Sequence, residues 1–282
     1  MAAEPSSEKI GIIAGGGQFP LLFARAVKKE GMEVVVIAHK GESSPELSAE
    51  ADELYWIRLG QLGKIIKYFK KTGVQKTVLV GPIKKTNIFR DIRPDLKGLS
   101  LWNKIDARQD DAILRAVANE LENEGIHVVE STRYLKELLF PKGIITKRKP
   151  TTSQIDDIKF GWHIAREIGR LDIGQCVVVR NRSVLAVEAI EGTDAAIRRG
   201  GALGHEKAVI VKVKKPNQDF RFDLPAVGLT TIQTMIEAKA EVLAVEAGQA
   251  LLFDRDKFVE AANKAKIVVA GVEENKTGEL SY

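Results

Sequence analysis

The sequence predicts an α/β protein with a Rossmann-like amino-terminal domain and a mixed α+β carboxy-terminal domain. Three observations support this fold class. In the first half, short apolar runs alternate with helical patterns and are joined by glycine turns, which is typical of parallel βαβ units. In the second half, two β-type runs are separated by a two-residue turn that indicates a hairpin. Hydrophobic residues make up 44% and charged residues 29% of the 282 residues, as in globular proteins.

The first half contains four predicted strands and three predicted helices. The strands are short runs rich in Val and Ile, at 9–14, 32–38, 77–80 and 126–130. The helices lie between them, at 19–30, 62–71 and 110–124. The last of these has apolar residues at 113, 114, 117 and 121, which is the spacing of one helix face. Strands and helices in this order predict a parallel sheet.

The second half is organised differently. A helix is predicted where Ile155, Ile158, Trp162 and Ala165 follow one helix face. Six strands are predicted at 175–180, 183–189, 208–214, 242–246, 251–253 and 267–271, with a helix at 230–240. Asn181-Arg182 separates the first two strands as a tight hairpin turn. This mixture of a hairpin with crossovers predicts a mixed sheet.

Interruptions of the periodic pattern set the domain boundaries. Prolines, glycine and a basic run between 141 and 150 break the pattern. We therefore expect an amino-terminal domain at 1–140, a linker at 141–150 and a catalytic carboxy-terminal domain at 151–282. The short extension 1–8 and the polar tail 273–282 are expected to lie outside the fold.

Composition limits the function classes. Lys and Arg number 43 and Asp and Glu 38, so the formal net charge is +5. An excess this small is weak support for an anionic substrate or lipid surface and argues against nucleic acid as a partner. Cys176 is the sole cysteine, which excludes an intrachain disulfide and suits a reducing compartment. Because no stretch has the pattern of a signal peptide or a membrane span, we expect any membrane contact to be peripheral.

Several common site patterns are missing from the sequence. The four histidines are scattered without metal-ligand spacing, which argues against zinc. The glycines after the first strand do not form G-x-G-x-x-G, which argues against a nicotinamide dehydrogenase, and no P-loop motif occurs. No G-x-S-x-G elbow is present.

The glycine turn after the first strand is a candidate phosphate site. Gly15, Gly16 and Gly17 precede Gln18 at the point where a strand passes into a helix. Such a turn allows close approach of the backbone, and a helix amino terminus offers free N–H groups to an anion. A plain strand-to-helix turn that needs positive φ is the alternative interpretation.

Acidic residues occur in two stretches of the second half. Asp219 and Asp223 lie with three basic residues in the loop 214–225, and the Leu-Pro pair after Asp223 favours an extended chain there. Carboxylates in this setting could hold Mg²⁺ or Mn²⁺ or take a proton from water, although they could also be ordinary loop caps.

The second acidic stretch covers 187–201. Glu188 and Glu191 stand near Arg198-Arg199, which suits a metal–phosphate site, although a salt-bridge network is the alternative. Thr193 or Asp194 can cap the short helix that follows.

The segment Lys84–Ile105 has no clean periodicity, which favours a lid or binding loop for an acyl chain or headgroup. A solvated surface face is the alternative.

Five segments along almost the whole chain form a recognisable set: IAGGGQFP at 13–20, VGPIKK at 80–85, DDAILRAVANELENEG at 110–125, VEAIEGTDAAIRRGG at 187–201 and QDFRFDLPAVGLTTIQTM at 218–235. Together, and in this order, they resemble the LpxI family of UDP-2,3-diacylglucosamine pyrophosphatases. The resemblance implies hydrolysis of the pyrophosphate of UDP-2,3-diacylglucosamine to UMP and 2,3-diacylglucosamine 1-phosphate, called lipid X, with Mg²⁺ assisting. It implies that the glycolipid lies between two domains, at the cytoplasmic face of a Gram-negative inner membrane. The family's essential aspartate matches the F-D-L-P segment, which makes it Asp223 here.

From the resemblance and the motifs we take Asp223 as the catalytic residue. The candidate metal ligands are Asp223, Asp219, Glu188 and Glu191. The candidate substrate-binding residues are Gly15, Gly16, Gly17, Gln18, Gly81, Pro82, Lys84, Thr193, Asp194, Arg198 and Arg221. One of the arginines 198, 199 and 221 would offset charge as the phosphorus–oxygen bond breaks. A non-catalytic nucleotide or glycolipid carrier stays open as an alternative function, as does a homodimer.

Overall fold

The computed structural model describes residues 8–83, 92–104, 110–216, 218–221 and 224–282, and the chain folds into two compact units. The first contains the described residues of 1–136 together with 219–221, and the second contains Glu137–Gln218 and Leu224–Tyr282. Residues 219–221 therefore belong to the first unit, although the sequence pattern assigns the whole loop 214–225 to the second.

A parallel sheet forms the centre of the first unit. Its strands in the described part of the chain are β1 Lys9–Ala14, β2 Glu33–His39, β3 Glu53–Ile57, β4 Lys76–Val80 and β5 His127–Val128. They are arranged in the order β3-β2-β1-β4-β5, and every neighbouring pair is parallel. This is the strand order of a Rossmann fold, in which the order reverses between β1 and β4. The predicted fold class is confirmed.

Helices cover this sheet. They are α1 Phe19–Lys29, α2 Leu47–Glu50, α3 Leu62–Thr72, α4 Leu96–Lys104 and α5 Asp110–Asn123. In α3 the buried residues Leu62, Ile65, Ile66 and Phe69 recur at helical spacing and face the core, while its lysines alternate with them on the outer side. Gly73 ends α3 with φ 77°, the left-handed conformation of a glycine cap. The unpredicted helix α4 lies inside the segment that lacks periodicity, where Leu96 is 88% exposed.

The second unit contains shorter and more varied strands. They are β6 Gly143–Ile144, β7 Cys176–Arg180, β8 Ser183–Val187, β9 Val209–Lys212, β10 Ala226–Val227, β11 Val242–Glu246, β12 Leu251–Leu252, β13 Val268–Glu274 and β14 Leu280–Ser281. The main sheet has the order β14-β13-β11-β9-β7-β8, and β6 pairs with β13. Strands β9, β11 and β13 are parallel, whereas β7 is antiparallel to both β8 and β9. The predicted mixed sheet and its hairpin are confirmed.

The central strands of this sheet are buried on both faces. The helices of the second unit are α6 Thr152–Arg170, α7 Thr193–Gly204, α8 Leu229–Glu237 and α9 Arg255–Lys264. Trp162 of α6 packs with Val177 and Val179, whereas Cys176 and Val178 face the core beneath α7, α8 and α9. The continuous apolar runs in the sequence have this physical origin, because a strand covered on both faces has no polar side.

Two expectations about the chain outside the domains differ from the structure. Residues 143–144, inside the expected linker 141–150, form β6 in the main sheet. The tail 273–282 is not outside the fold, because β13 continues to Glu274 and β14 pairs with its end. Trp162 also donates its indole N–H to the Glu274 carboxylate at 3.0 Å, which ties this region to α6.

One edge of the second sheet collects several strand ends. Val187 of β8 and Val211 of β9 both pair with Val177, so β8 and β9 run in the same direction and end at the same level. Glu188, which follows β8, and Lys212, which ends β9, therefore lie at one edge. The amino terminus of α7 follows directly from β8 and starts near that edge.

Candidate active site

The glycine turn of the first unit lies at the point where the strand order reverses. The Gly15 N–H donates to the Val80 carbonyl at 2.8 Å, and the Gly16 N–H donates to the Pro82 carbonyl at 2.8 Å. The turn after β1 and the turn after β4, which contains Gly81, are thus bonded to each other. Ligands of open α/β sheets bind in the crevice outside the strand ends at this reversal point. The structure brings together Gly15, Gly16, Gly17, Gln18, Gly81 and Pro82.

A buried polar pair fixes the start of this turn. His39 Nδ1 lies 2.9 Å from the Ala14 carbonyl oxygen, and the Ser43 hydroxyl donates to the same oxygen at 2.7 Å. Burial lowers the pKa of His39, although the Ala14 carbonyl acts in the opposite direction. His39 is therefore neutral at pH 7, and its Nδ1–H donates to Ala14. The sequence did not predict that His39 would hold this turn, because its four histidines follow no recognisable spacing.

Asp219 and Arg221 form a closed pair in the first unit. The Arg221 guanidinium donates to both Asp219 oxygens, at 2.8–3.1 Å, and also to Glu122 at 2.9 Å. Burial acts to raise the pKa of the Asp219 carboxyl, but the hydrogen bonds from Arg221 outweigh it and the pKa lies below its usual value. Both oxygens of the Asp219 carboxylate thus accept hydrogen bonds from Arg221, which makes Asp219 a poorer candidate for a metal ligand.

A pocket of about 340 Å³ opens in the second unit where the strand ends meet α7. We call it the Lys212 pocket; it is lined by Glu191, Gly192, Thr193, Asp194, Lys212, Ala226 and Thr231. Thr193 and Asp194, two of the predicted substrate-binding residues, are therefore at one cavity, with the predicted metal ligand Glu191.

A buried lysine is the central feature of this pocket. Lys212 is 5% exposed, and its ammonium donates to the Thr193 hydroxyl oxygen at 3.1 Å and to the Ala226 carbonyl at 3.0 Å. The Thr193 hydroxyl in turn donates to Glu188 at 2.8 Å, and Glu188 is 7% exposed. A hydroxyl thus links a buried cation to a buried carboxylate. Lys212 was not predicted as a site residue, because a lysine at the end of an apolar strand resembles an ordinary strand end that faces solvent.

The remaining acidic residues at the pocket have different surroundings. Glu191 forms an ion pair with Arg199 at 2.6 Å. Its own backbone N–H and Arg199 lower the pKa of the Glu191 carboxyl. The expectation that Thr193 or Asp194 caps α7 is wrong, since Gly192 is the N-cap and no side chain closes the first turn. The Thr193 hydroxyl is used by Lys212 and Glu188 instead.

Arg198 lies apart from the Lys212 pocket. It donates to Glu237 at 3.0 Å and to the Thr234 hydroxyl at 3.3 Å. It lines a different pocket of about 360 Å³ with His205 and Lys239. Arg198 and Thr193 therefore line different pockets, although both belong to α7.

The described carboxylates do not form a metal site by themselves. Among the described residues, no group of three or more His, Cys, Asp or Glu side chains is arranged to hold a metal ion. Glu188 already accepts the Thr193 hydroxyl and, at 3.3 Å, the Gln175 N–H. Lys84 and Asp223, the predicted headgroup contact and catalytic residue, lie outside the described residues.

No helix within the described part of the chain is both long and apolar enough to cross a bilayer.

Comparison with known proteins gives matches along most of the chain. Residues 9–138 match the model of the LpxI N-terminal domain, and residues 141–270 match that of the LpxI C-terminal domain. A protein of Caulobacter vibrioides, named UDP-2,3-diacylglucosamine pyrophosphatase LpxI, is 35% identical over 278 residues, which is 94% of this chain and 98% of the relative.

Solved structures give only distant matches. The biotin carboxylase domain of Hydrogenobacter thermophilus 2-oxoglutarate carboxylase is 16% identical, with a TM-score of 0.26, over 64% of this chain and 36% of that one. The biotin carboxylase subunit of a pyruvate carboxylase is 17% identical, with a TM-score of 0.26, over 61% of this chain and 34% of that one. This chain thus spans about a third of each carboxylase, and likeness at this level carries no inference. The two domain matches and the full-length relative establish instead that the chain belongs to the LpxI family.

Proposed function

We propose that this protein hydrolyses the pyrophosphate bond of UDP-2,3-diacylglucosamine to UMP and 2,3-diacylglucosamine 1-phosphate. The observation that carries the proposal is the 35% identity to a UDP-2,3-diacylglucosamine pyrophosphatase along nearly the full length of both chains. Both family domains are matched as well, so the two halves of the relative each have a counterpart here.

The reaction needs few covalent changes. Water adds to one phosphorus, the bridging phosphorus–oxygen bond breaks, and the water loses a proton. Attack at either phosphorus gives the same two phosphate monoesters. The protein must therefore position water, accept a proton and neutralise the charge that builds up on the phosphate oxygens.

We assign the proton-accepting or water-orienting role to Asp223, from its place in the F-D-L-P segment. The bonded turns at Gly15 and Gly81 are the candidate seat of the nucleotide or of a phosphate, because they stand at the reversal point of a Rossmann sheet. Their backbone geometry is fixed before a ligand arrives, which reduces the ordering cost of binding.

Magnesium stays part of the proposal, with Asp223 as its first candidate ligand. When bound there, Mg²⁺ would supply positive charge that offsets the charge of the diphosphate. The described carboxylates fit such an ion poorly: Asp219 is held by Arg221, Glu191 by Arg199 and Glu188 by Thr193. We therefore route no step through the metal. Turnover that survives exhaustive chelation, and is not raised by Mg²⁺ or Mn²⁺, would remove the ion from the proposal.

The decisive assay is release of UMP from UDP-2,3-diacylglucosamine in detergent micelles. Wild-type protein should release UMP and the monophosphorylated lipid in equal amounts. Asp223→Ala should lose turnover while keeping its thermal unfolding midpoint, and Asp256→Ala, an exposed acid of α9, is the matched control with unchanged turnover. Binding of the lipid without any UMP release by the wild type would favour a non-catalytic carrier and contradict the proposal.

The substrate also implies a location. A diacylated sugar nucleotide resides at a membrane surface, so we propose a cytoplasmic protein in peripheral contact with the inner membrane. Flotation with vesicles containing the substrate lipid should carry the protein to the top of a gradient, and high salt should release it. Light scattering decides between a monomer and a homodimer.

A further inference from the structure

We infer that Lys212 binds the phosphate of the sugar 1-phosphate half of the substrate in the Lys212 pocket. The identity of the substrate rests on the proposed function. The assignment of Lys212, and of the sugar end of the substrate to this pocket, was not indicated by any sequence motif. Lys212 is thereby a binding residue of the reaction.

Burial of the Lys212 ammonium group is costly. Lysine is almost never fully buried unless it is paired, because moving the ion out of water costs several kcal/mol. Lys212 is 5% exposed, yet its two acceptors, the Thr193 hydroxyl and the Ala226 carbonyl, are neutral. Among the described residues it has no ion pair. The carboxylate of Glu188 is linked to Lys212 through the Thr193 hydroxyl and does not accept a hydrogen bond from the ammonium itself. An anionic ligand in the adjoining cavity would complete the coordination of this charged group.

Hydrogen-bond donors at the Lys212 pocket suit an anionic ligand. An ammonium has three N–H bonds, and the described acceptors use two of them. Within the described part of the chain the third N–H has no acceptor, which leaves it for a ligand oxygen. The pocket is also lined by Gly192 and Thr193, where α7 begins without a side-chain cap. The first-turn N–H groups of this twelve-residue helix have no partner inside the helix, and the helix dipole adds positive potential there.

The carboxylates at the pocket, if left uncompensated, would repel a phosphate. Arg199 neutralises Glu191 at 2.6 Å, and the Thr193 hydroxyl and the Gln175 N–H stabilise Glu188. Asp194 remains as an acceptor in the pocket lining. A ligand that carries both a phosphate and neighbouring hydroxyl or amide groups satisfies Lys212 and Asp194 together. This combination favours a phosphate ester with neighbouring hydroxyl groups over inorganic phosphate. Because the Gly15 and Gly81 turns of the first unit are the candidate seat of the nucleotide, we assign the sugar end of the substrate to the Lys212 pocket.

The binding test uses glucosamine 1-phosphate and UMP as soluble probes of the two halves, measured by calorimetry on the full chain. Lys212→Met should weaken glucosamine 1-phosphate roughly 10- to 150-fold, the range for a lost hydrogen bond to a charged group, and leave UMP unchanged. Lys257→Met, the same substitution at an exposed position of α9, should change neither. Equal weakening of both probes, loss of UMP alone, or no binding of glucosamine 1-phosphate to the wild type would overturn the assignment.

The kinetic test separates this inference from the proposed function. If the wild type hydrolyses UDP-2,3-diacylglucosamine, Lys212→Met should reduce kcat/KM by roughly 10²- to 10³-fold, as for one removed charge-stabilising donor, and Lys212→Arg should recover part of it. An unchanged kcat/KM in Lys212→Met would contradict the role of Lys212 and leave the proposed hydrolase function intact. If the wild type shows no turnover but binds glucosamine 1-phosphate in a manner that depends on Lys212, the hydrolase function is contradicted and the binding site is supported. Should the methionine variant unfold, Lys212→Gln keeps donors for Thr193 and Ala226 without the charge, and the same losses are expected.

Discussion

The hairpin between β7 and β8 depends on one buried carboxylate. Asp157 of α6 is 5% exposed and accepts the backbone N–H groups of Asn181, at 3.0 Å, and of Arg182, at 2.6 Å. Both turn residues have positive φ, 50° and 54°, as a type I′ turn requires, and neither is glycine. Asp157 thus offsets the strain of this turn with two charge-assisted hydrogen bonds. We expect Asp157→Ala to destabilise the second unit.

The magnitude follows from these bonds. A hydrogen bond to a charged group contributes about 1.5–3 kcal/mol, so two of them set an upper range of about 3–6 kcal/mol. Asn181 and Arg182 are exposed, and water can reach their N–H groups once the carboxylate is gone. We therefore expect a loss of about 2–4 kcal/mol for Asp157→Ala. Asp157→Asn keeps one acceptor oxygen and should lose about 1–2 kcal/mol.

Urea unfolding followed by circular dichroism measures these differences in the free energy of unfolding. The dependence of that free energy on urea concentration should be the same in all variants if unfolding is two-state. Arg182→Gly is the matched control, because glycine adopts positive φ freely and should stabilise the same turn by up to about 1 kcal/mol. Amide hydrogen exchange at Asn181 and Arg182 should accelerate in Asp157→Ala. A loss below about 0.5 kcal/mol, the level of an ordinary surface substitution, would refute the reasoning.

Two further predictions concern the first unit. Gly15→Ala places a Cβ 2.7 Å from the Pro82 carbonyl oxygen and closer still to that of Gly81. The clash should lower the free energy of unfolding by about 1–3 kcal/mol, measured by thermal melting, and should raise KM, measured by substrate titration. An unchanged KM would remove this turn from the binding site. Hydrogen bonds from Lys70 and Lys97 lower the pKa of Glu124 from 4.5 to about 2. Because the folded-state pKa lies below the unfolded value, this stabilisation is complete above about pH 5 and is lost as the pH falls toward 2. The stability difference between wild type and Glu124→Gln should therefore shrink over that window, and a difference independent of pH would contradict it.

Much of the fold could be predicted because burial leaves a pattern in the sequence. The strand β2 and the helix α5 are long and periodic enough to be recognised, and glycine turns mark their ends. The strand β3 was missed because it lies at a sheet edge, where Tyr55 is 37% exposed and the apolar run is broken. The ordered tail was missed for a related reason: residues 273–282 are polar, and their pairing with β13 depends on backbone hydrogen bonds that leave no side-chain pattern.

The site was less predictable than the fold. Gly15 and Gly81 could be named from sequence because a turn after a strand is a local feature, and so could Thr193. The way these groups are used could not, because the partners are far apart in sequence. The Thr193 hydroxyl serves Lys212, which stands on another strand, and the Asp219 carboxylate is occupied by Arg221 rather than left open for a metal. A list of acidic residues near basic ones cannot distinguish these outcomes.

Two buried charges in the second unit differ in whether a group of opposite charge within the protein bonds to them directly. Glu246 is 9% exposed, but Arg166 and the Lys214 N–H hold it at 2.8 Å each, so its charge is compensated within the protein and needs no ligand. Lys212 is as deeply buried, yet its described acceptors are neutral and it faces a cavity. Burial alone therefore does not identify a functional charge. Incomplete compensation beside an open volume does, because a ligand of opposite charge lowers the free energy of that site more than water can.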